Sequence, residues 1–220
     1  MTGMRLAATA LVALALGAPA APAAGAPKDP RLARVHSFAF AIGSGALAKP
    51  LGAYDLVVVD GQEASARRVA QLRSKGVIVL GYLSVGTVEK GRPWSKAARP
   101  YRLDLLAEWG EWYADVNAPG YRRLIANKVA PRMLRRKRFD GLFLDNTDMI
   151  ETHPRRKPGM RKLAARLGKL VHSQRRLLFA QNVRPGWVPA RTSESGLSVE
   201  TLPIARGSPR PERSGQGSPR

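Results

Sequence analysis

Short apolar runs recur along the chain, and several of them end on a polar residue. HSFAFAI, His36 to Ile42, reads as a first strand that Gly43-Ser44-Gly45 breaks. YDLVVVD, Tyr54 to Asp60, stays apolar up to its terminal carboxylate, the pattern of a strand covered on both faces. VIVLGYLS, Val77 to Ser84, has the same form. Between these two, residues 64–75 predict a helix with Ala66, Val69, Ala70 and Leu72 on one face and Gly76 as its C-terminal cap. Glu111 to Val116 predicts a shorter fourth strand. A helix follows from Pro119, a residue suited to the first helical turn, with Tyr121, Leu124, Ile125 and Val129 inward and a kink or split at Pro131. FDGLFLD, Phe139 to Asp145, is the fifth strand. Gly159 to Ser173 carries one apolar stripe of Met160, Leu163, Ala164, Leu167, Leu170 and Val171. LLFAQ, Leu177 to Gln181, and LSVE, Leu197 to Glu200, complete the set.

Strand and helix alternate, which predicts an α/β fold with a parallel sheet. Seven strands in 220 residues fall short of a closed barrel, which usually takes about 250. The expected architecture is therefore a barrel incomplete at its C-terminal end. Residues 1–24 have a charged start, a short apolar stretch from Leu6 to Ala18 and Ala-Pro-Ala triplets, the form of a secretory signal peptide. That stretch is shorter than the roughly 20 residues of a membrane span. Residues 25–34 read as a Pro/Ala-rich linker, 35–204 as the barrel, and 205–220 as a disordered tail rich in Pro, Gly, Ser and Arg. Export to the periplasm or the medium is expected, without stable membrane insertion after signal cleavage.

The absence of cysteine excludes disulfides, thiolate catalysis and cysteine metal sites. A net charge of +21 favours polyanions in general, but it is scattered as a solvated surface charge is. The one dense cluster is Arg132, Arg135, Arg136, Lys137 and Arg138. It precedes a strand and so belongs to the end opposite a barrel active site. His36, His153 and His172 lack metal-ligand spacing, and Trp94, Trp109, Trp112 and Trp187 are each read as packing before sugar stacking. No cofactor and no specific nucleic acid is expected. No G-x-S-x-G elbow or phosphate loop occurs.

Polar residues gather at the C-terminal ends of the strands: Asp60, Ser84, Asp115, Asp145, Gln181 with Asn182, and Glu200. In (β/α) barrels the loops at that end converge on the active site. In FDGLFLDNTD, Thr147 or Asp148 suits a helix N-cap, whereas Asp145 is the last residue in strand register. Asp145 and Glu200 are the expected pair, because glycoside cleavage needs one group to protonate the leaving oxygen and another to attack or to activate water. Tyr82 to Gly86 serves either as a subsite wall or as a plain turn. Glu89 follows within reach of the same cleft, and Asp60 suits either a ligand-holding or a structural role.

YDLVVVDG, VIVLGYLSVGTVE, GEWYADV, FDGLFLDNTD, FAQN and SVE occur in this order from Tyr54 to Glu200. Together they resemble glycoside hydrolase family 114, the endo-α-1,4-polygalactosaminidase group. The resemblance implies a (β/α)8 TIM-type barrel, secretion and hydrolysis of α-1,4 bonds in galactosamine-containing polysaccharide; a monomer is expected. It implies a retaining mechanism with Asp145 as nucleophile and Glu200 as acid/base, the pair being firmer than the division of roles. It also places Asp60, Tyr82, Ser84, Glu89 and Asn182 around the substrate, and Asp115 and Asn146 join them as candidates from their places at strand ends. Two other classes fit less of the pattern. A carbohydrate-binding or inactive barrel remnant would keep the strands without turnover. A secreted polyanion-binding protein would explain the charge but not the carboxylates at successive strand ends.

Overall fold

The computed structural model describes residues 29–43 and 45–181. The expected signal peptide, the tail, the strand Leu197 to Glu200, Asn182 and Trp187 lie outside them. In chain order the strands are β1 (Phe38–Ala41), β2 (Leu56–Asp60), β3 (Ile78–Ser84), β4 (Thr87–Val88), β5 (Arg102–Leu106), β6 (Glu111–Ala114), β7 (Gly141–Asp145) and β8 (Leu177–Ala180). The α-helices are α1 (Ala66–Ser74), α2 (Ser95–Ala98), α3 (Pro119–Arg123), α4 (Ala130–Lys137), α5 (Met149–Thr152) and α6 (Lys157–His172).

Five strands form one parallel sheet in the order β1-β2-β3-β7-β8. Apart from one insertion, neighbours in the sheet are neighbours in sequence, the winding of a (β/α) barrel. Alternation along the strands divides the core in two. Leu56, Val58, Leu80, Phe143, Leu177 and Phe179 pack together on one face, the barrel interior. Val57, Val59, Val79, Leu83, Leu142, Leu144 and Leu178 face the other way and join the helices. That double coverage is why the strands read as unbroken apolar runs.

Ser65 caps α1 by accepting from the Arg68 N–H, and Gly76 follows with φ 78°. On α1 only Val69 and Leu72 are buried, while the expected inner residues Ala66 and Ala70 are exposed. The buried stripe of α6 holds Met160, Leu163, Ala164, Leu167 and Val171 as expected, with Leu170 half-buried beside it, and also includes Gly159 and Gly168. Between α3 and α4 the helix widens into a π turn over Leu124–Val129. Pro131 is the second residue of the next α segment, where its missing N–H cannot serve the carbonyl one turn back, so the ladder shifts just before it.

The fourth expected strand is corrected. Glu111 to Ala114 is not in the parallel sheet; it is the middle strand of a separate antiparallel sheet, β4-β6-β5. β3 therefore pairs directly with β7, and residues 85–140 form the crossover. Polarity decides this: Glu111, Trp112 and Tyr113 stay half-exposed, which a strand enclosed between interior and helices cannot do. The described end of the expected linker is also packed. Leu32, in a 3-10 turn, and Val35 are buried against the interior cluster, so the core starts before residue 35.

Candidate active site

Strand register assembles the site. Asp60 lies opposite Tyr82 between β2 and β3, and Ser84 opposite Asp145 between β3 and β7. All four continue, at a spacing of two, the interior rows that begin with Leu56, Leu80 and Phe143. Their side chains therefore stand on the interior cluster at the C-terminal end of the sheet. The opposite end is closed by structural carboxylates. Asp55 accepts from the Ser37 N–H at 2.8 Å, and Asp140 accepts from the Val79 N–H at 3.0 Å and pairs with Arg73.

Asp145 is the centre of the arrangement. The Tyr82 hydroxyl donates to its Oδ2 at 2.6 Å. Burial pushes the Asp145 carboxyl above the ordinary carboxylate range, and the Tyr82 hydrogen bond pulls it partly back. Burial, then the charge of Asp145, drives the Tyr82 phenol far up, so Tyr82 is a permanent donor. Asn146 follows in a left-handed conformation, φ 56°, which asparagine tolerates better than most residues. Its Nδ2 donates to Ser84 Oγ at 3.0 Å and to Thr87 Oγ1 at 3.3 Å. Ser84 and Thr87 are joined at 2.7 Å, and Thr87 donates to Glu111 Oε2 at 2.7 Å.

A second cluster borders this one. Arg92 donates to both oxygens of Asp60, at 2.9 and 2.7 Å, and to both oxygens of Glu89, at 2.9 and 2.6 Å. Burial raises the Glu89 carboxyl despite the opposing pull of Arg92. Burial disfavours the Arg92 charge, but Glu89 and Asp60 outweigh it, so the guanidinium stays charged. The Asp60 carboxylate also accepts from the N–H groups of Gln62 and Glu63, so it braces the loop after β2. Among the described residues Asp60 is engaged by the protein itself, which is the structural alternative for this residue.

Tyr82, Ser84, Asp145 and Asn146 are thus brought together, with Asp60 and Glu89 adjoining through Arg92. Asp115 is not. It lies beyond β6, its carboxylate accepts from the Asn117 N–H, and it pairs with Arg156 at 3.4 Å. The expectation that it ends a barrel strand fails because β6 belongs to the other sheet. Asn182 and Glu200 lie outside the described residues. Asp148 stands at the N-cap of α5, and the Thr147 hydroxyl donates to the Gln181 carbonyl, tying the β7 loop to the end of β8. Thr87, Arg92 and Glu111 escaped the sequence reading. Their signal was polarity alone, in the TVE and GEW segments and at Arg92, at positions without strand-end spacing.

The tryptophans divide. Trp94 packs against the core, Trp112 lies under the Arg102 guanidinium at 3.7 Å, and Trp109 is 69% exposed at the turn between β5 and β6. The basic cluster of α4 is on the surface, with Arg132, Arg135, Arg136 and Arg138 exposed. Among the described residues no group of three or more His, Cys, Asp or Glu side chains could hold a metal ion. No helix there is long and apolar enough to cross a membrane.

Comparison with known proteins agrees with the fold. Residues 18–189 match the profile of glycoside-hydrolase family GH114. Among solved structures, the glycoside hydrolase domain of PelA from Pseudomonas aeruginosa is similar at 24% identity and a TM-score of 0.55, covering 71% of this chain and 66% of that one. Ega3 from Aspergillus fumigatus, solved in complex with galactosamine, is similar at 17% identity and a TM-score of 0.53, covering 65% and 58%. The chain thus spans just under two thirds of the first and less of the second. A search of curated proteins found no match.

Proposed function

This chain belongs to glycoside-hydrolase family GH114, and from that premise we infer that it hydrolyses α-1,4 linkages in a galactosamine-containing polysaccharide. The observation that carries the reading is Asp145, a half-buried carboxylate at the end of β7, on the interior row, fixed by the Tyr82 phenol at 2.6 Å. In a retaining reaction Asp145 attacks the anomeric carbon while Glu200 protonates the departing glycosidic oxygen. Glu200 then takes a proton from water, which displaces Asp145 and releases the sugar. The two carboxyl groups then stand about 5–5.5 Å apart. Glu200 lies beyond the matched residues and is assigned by its place in the motif order and by the need for a second carboxylate.

The substrate class is supported by the Asp145 carboxylate at the rim, by the negative potential that Asp60, Glu89 and Glu111 add from behind their protein partners Arg92 and Thr87, and by the galactosamine bound to Ega3. Export by residues 1–24 would bring the enzyme to such polymers. The test is product release from a partly deacetylated α-1,4-galactosamine polymer. Asp145→Asn and Glu200→Gln, with folding intact, each lower turnover about a thousandfold or more. Turnover retained by folded Asp145→Asn would sink the assignment, and no turnover by the unaltered chain would favour a carbohydrate-binding barrel.

A further inference from the structure

We propose that Glu111 is a positioning residue: through Thr87 and Ser84 it decides which way the Asn146 side chain faces, and so holds the loop that presents Asp145. The proposal rests on reading Asp145 as the nucleophile.

Counting protons gives the direction of the chain. Thr87 has one hydroxyl proton, and it goes to Glu111 Oε2 at 2.7 Å; burial raises the Glu111 carboxyl, while this hydrogen bond and the Arg92 charge favour its ionised form, which only accepts. Thr87 Oγ1 is then an acceptor towards Ser84, 2.7 Å away, so the single proton of Ser84 is committed to Thr87. Both oxygens are left as acceptors where they meet Asn146, at 3.0 and 3.3 Å. Only the NH2 side of the amide satisfies them; the reversed amide would set Oδ1 against two oxygens with no proton to give. Ser84 and Thr87 are buried, so water does not replace a missing link. The same amide nitrogen lies 3.5 Å from Asp145 Oδ2. The loop is confined from the other side as well, because a Cβ on Gly86 would collide with the Asn146 carbonyl oxygen. Glu111 comes from β6, in the inserted sheet, and Thr87 from β4 of that sheet. The insertion therefore supplies the far end of a chain that terminates beside the nucleophile.

The experiment follows the Asn146 side-chain amide by 15N NMR, identified by its loss in Asn146→Asp, alongside steady-state kinetics. Thr87→Val and Glu111→Ala break the chain. They shift the amide pair, speed its exchange with water and lower kcat about tenfold or more, with KM within about twofold. Thr87→Ser keeps the hydroxyl, and Glu111→Gln keeps an accepting oxygen. Both hold the amide near its original position, with kcat reduced by less than about threefold. An amide unmoved in folded Thr87→Val and Glu111→Ala overturns the proposal. So does a Glu111→Gln variant as impaired as Glu111→Ala with the amide in place, which would put Glu111 on the substrate itself. The amide readout needs no turnover, so failure of the nucleophile assignment, seen in Asp145→Asn, is scored separately.

Discussion

At the scale of single residues, Asp145 is pulled two ways. Burial favours its neutral form, and the Tyr82 phenol favours the carboxylate by donating to it at 2.6 Å. A nucleophile must be ionised, so the acid limb of kcat/KM against pH reports this carboxyl in the free enzyme. Tyr82→Phe removes the donor that stabilises the charge and leaves the burial. The Asp145 pKa rises further, and the acid limb moves to higher pH. A pH–rate profile of the two proteins checks this, and a limb that stays or moves down would exclude Tyr82 as the stabilising donor. Such an effect is not written in the sequence. Tyr82 was legible as a rim residue because β3 is an uninterrupted apolar run ending at Ser84, but its partner follows from the pairing of Tyr82 with Phe143 across two strands.

Element by element, legibility followed burial. β2, β3 and β7 are covered on both faces, and their runs of Val, Leu and Ile announce them, together with the polar residues at their ends. β6 failed that test: its EWYA, half-buried over three residues, belongs to the separate antiparallel sheet, yet its position in the chain imitated a fourth barrel strand. Misplacing β6 also misplaced Asp115 and hid Glu111. Thr87 and Arg92 become site residues only when the β3–β6 connection folds back over the rim, a tertiary event with no local period. Gly86 is where that connection passes closest to the β7 loop. Gly86→Ala forces a Cβ against the Asn146 carbonyl, a backbone contact that cannot rotate away. The expected cost is about 1–3 kcal/mol of stability, read as a lower denaturation midpoint at unchanged slope, together with a fall in kcat.

For the whole molecule, sign and distance oppose each other. The chain carries +21, whereas the proposed cleft is edged by Asp60, Glu89 and Asp145 with Arg92 among them, and Glu111 adds its charge from behind Thr87. A cationic polymer approaching at low salt feels the whole charge, because at about 0.01 M the Debye length is about 30 Å, comparable to the molecule. At about 0.15 M it shrinks to about 8 Å, and only the groups lining the rim act on the sugar. Raising salt over that interval therefore removes long-range repulsion while leaving most of the short-range attraction. The expected outcome is that kcat/KM for a short deacetylated galactosamine oligomer rises with salt, while that for the fully acetylated, neutral oligomer stays flat. A fall for the cationic oligomer over the same interval would mean that the rim, not the net charge, governs encounter. A rise shared by the neutral oligomer would assign the effect to the protein's own stability instead.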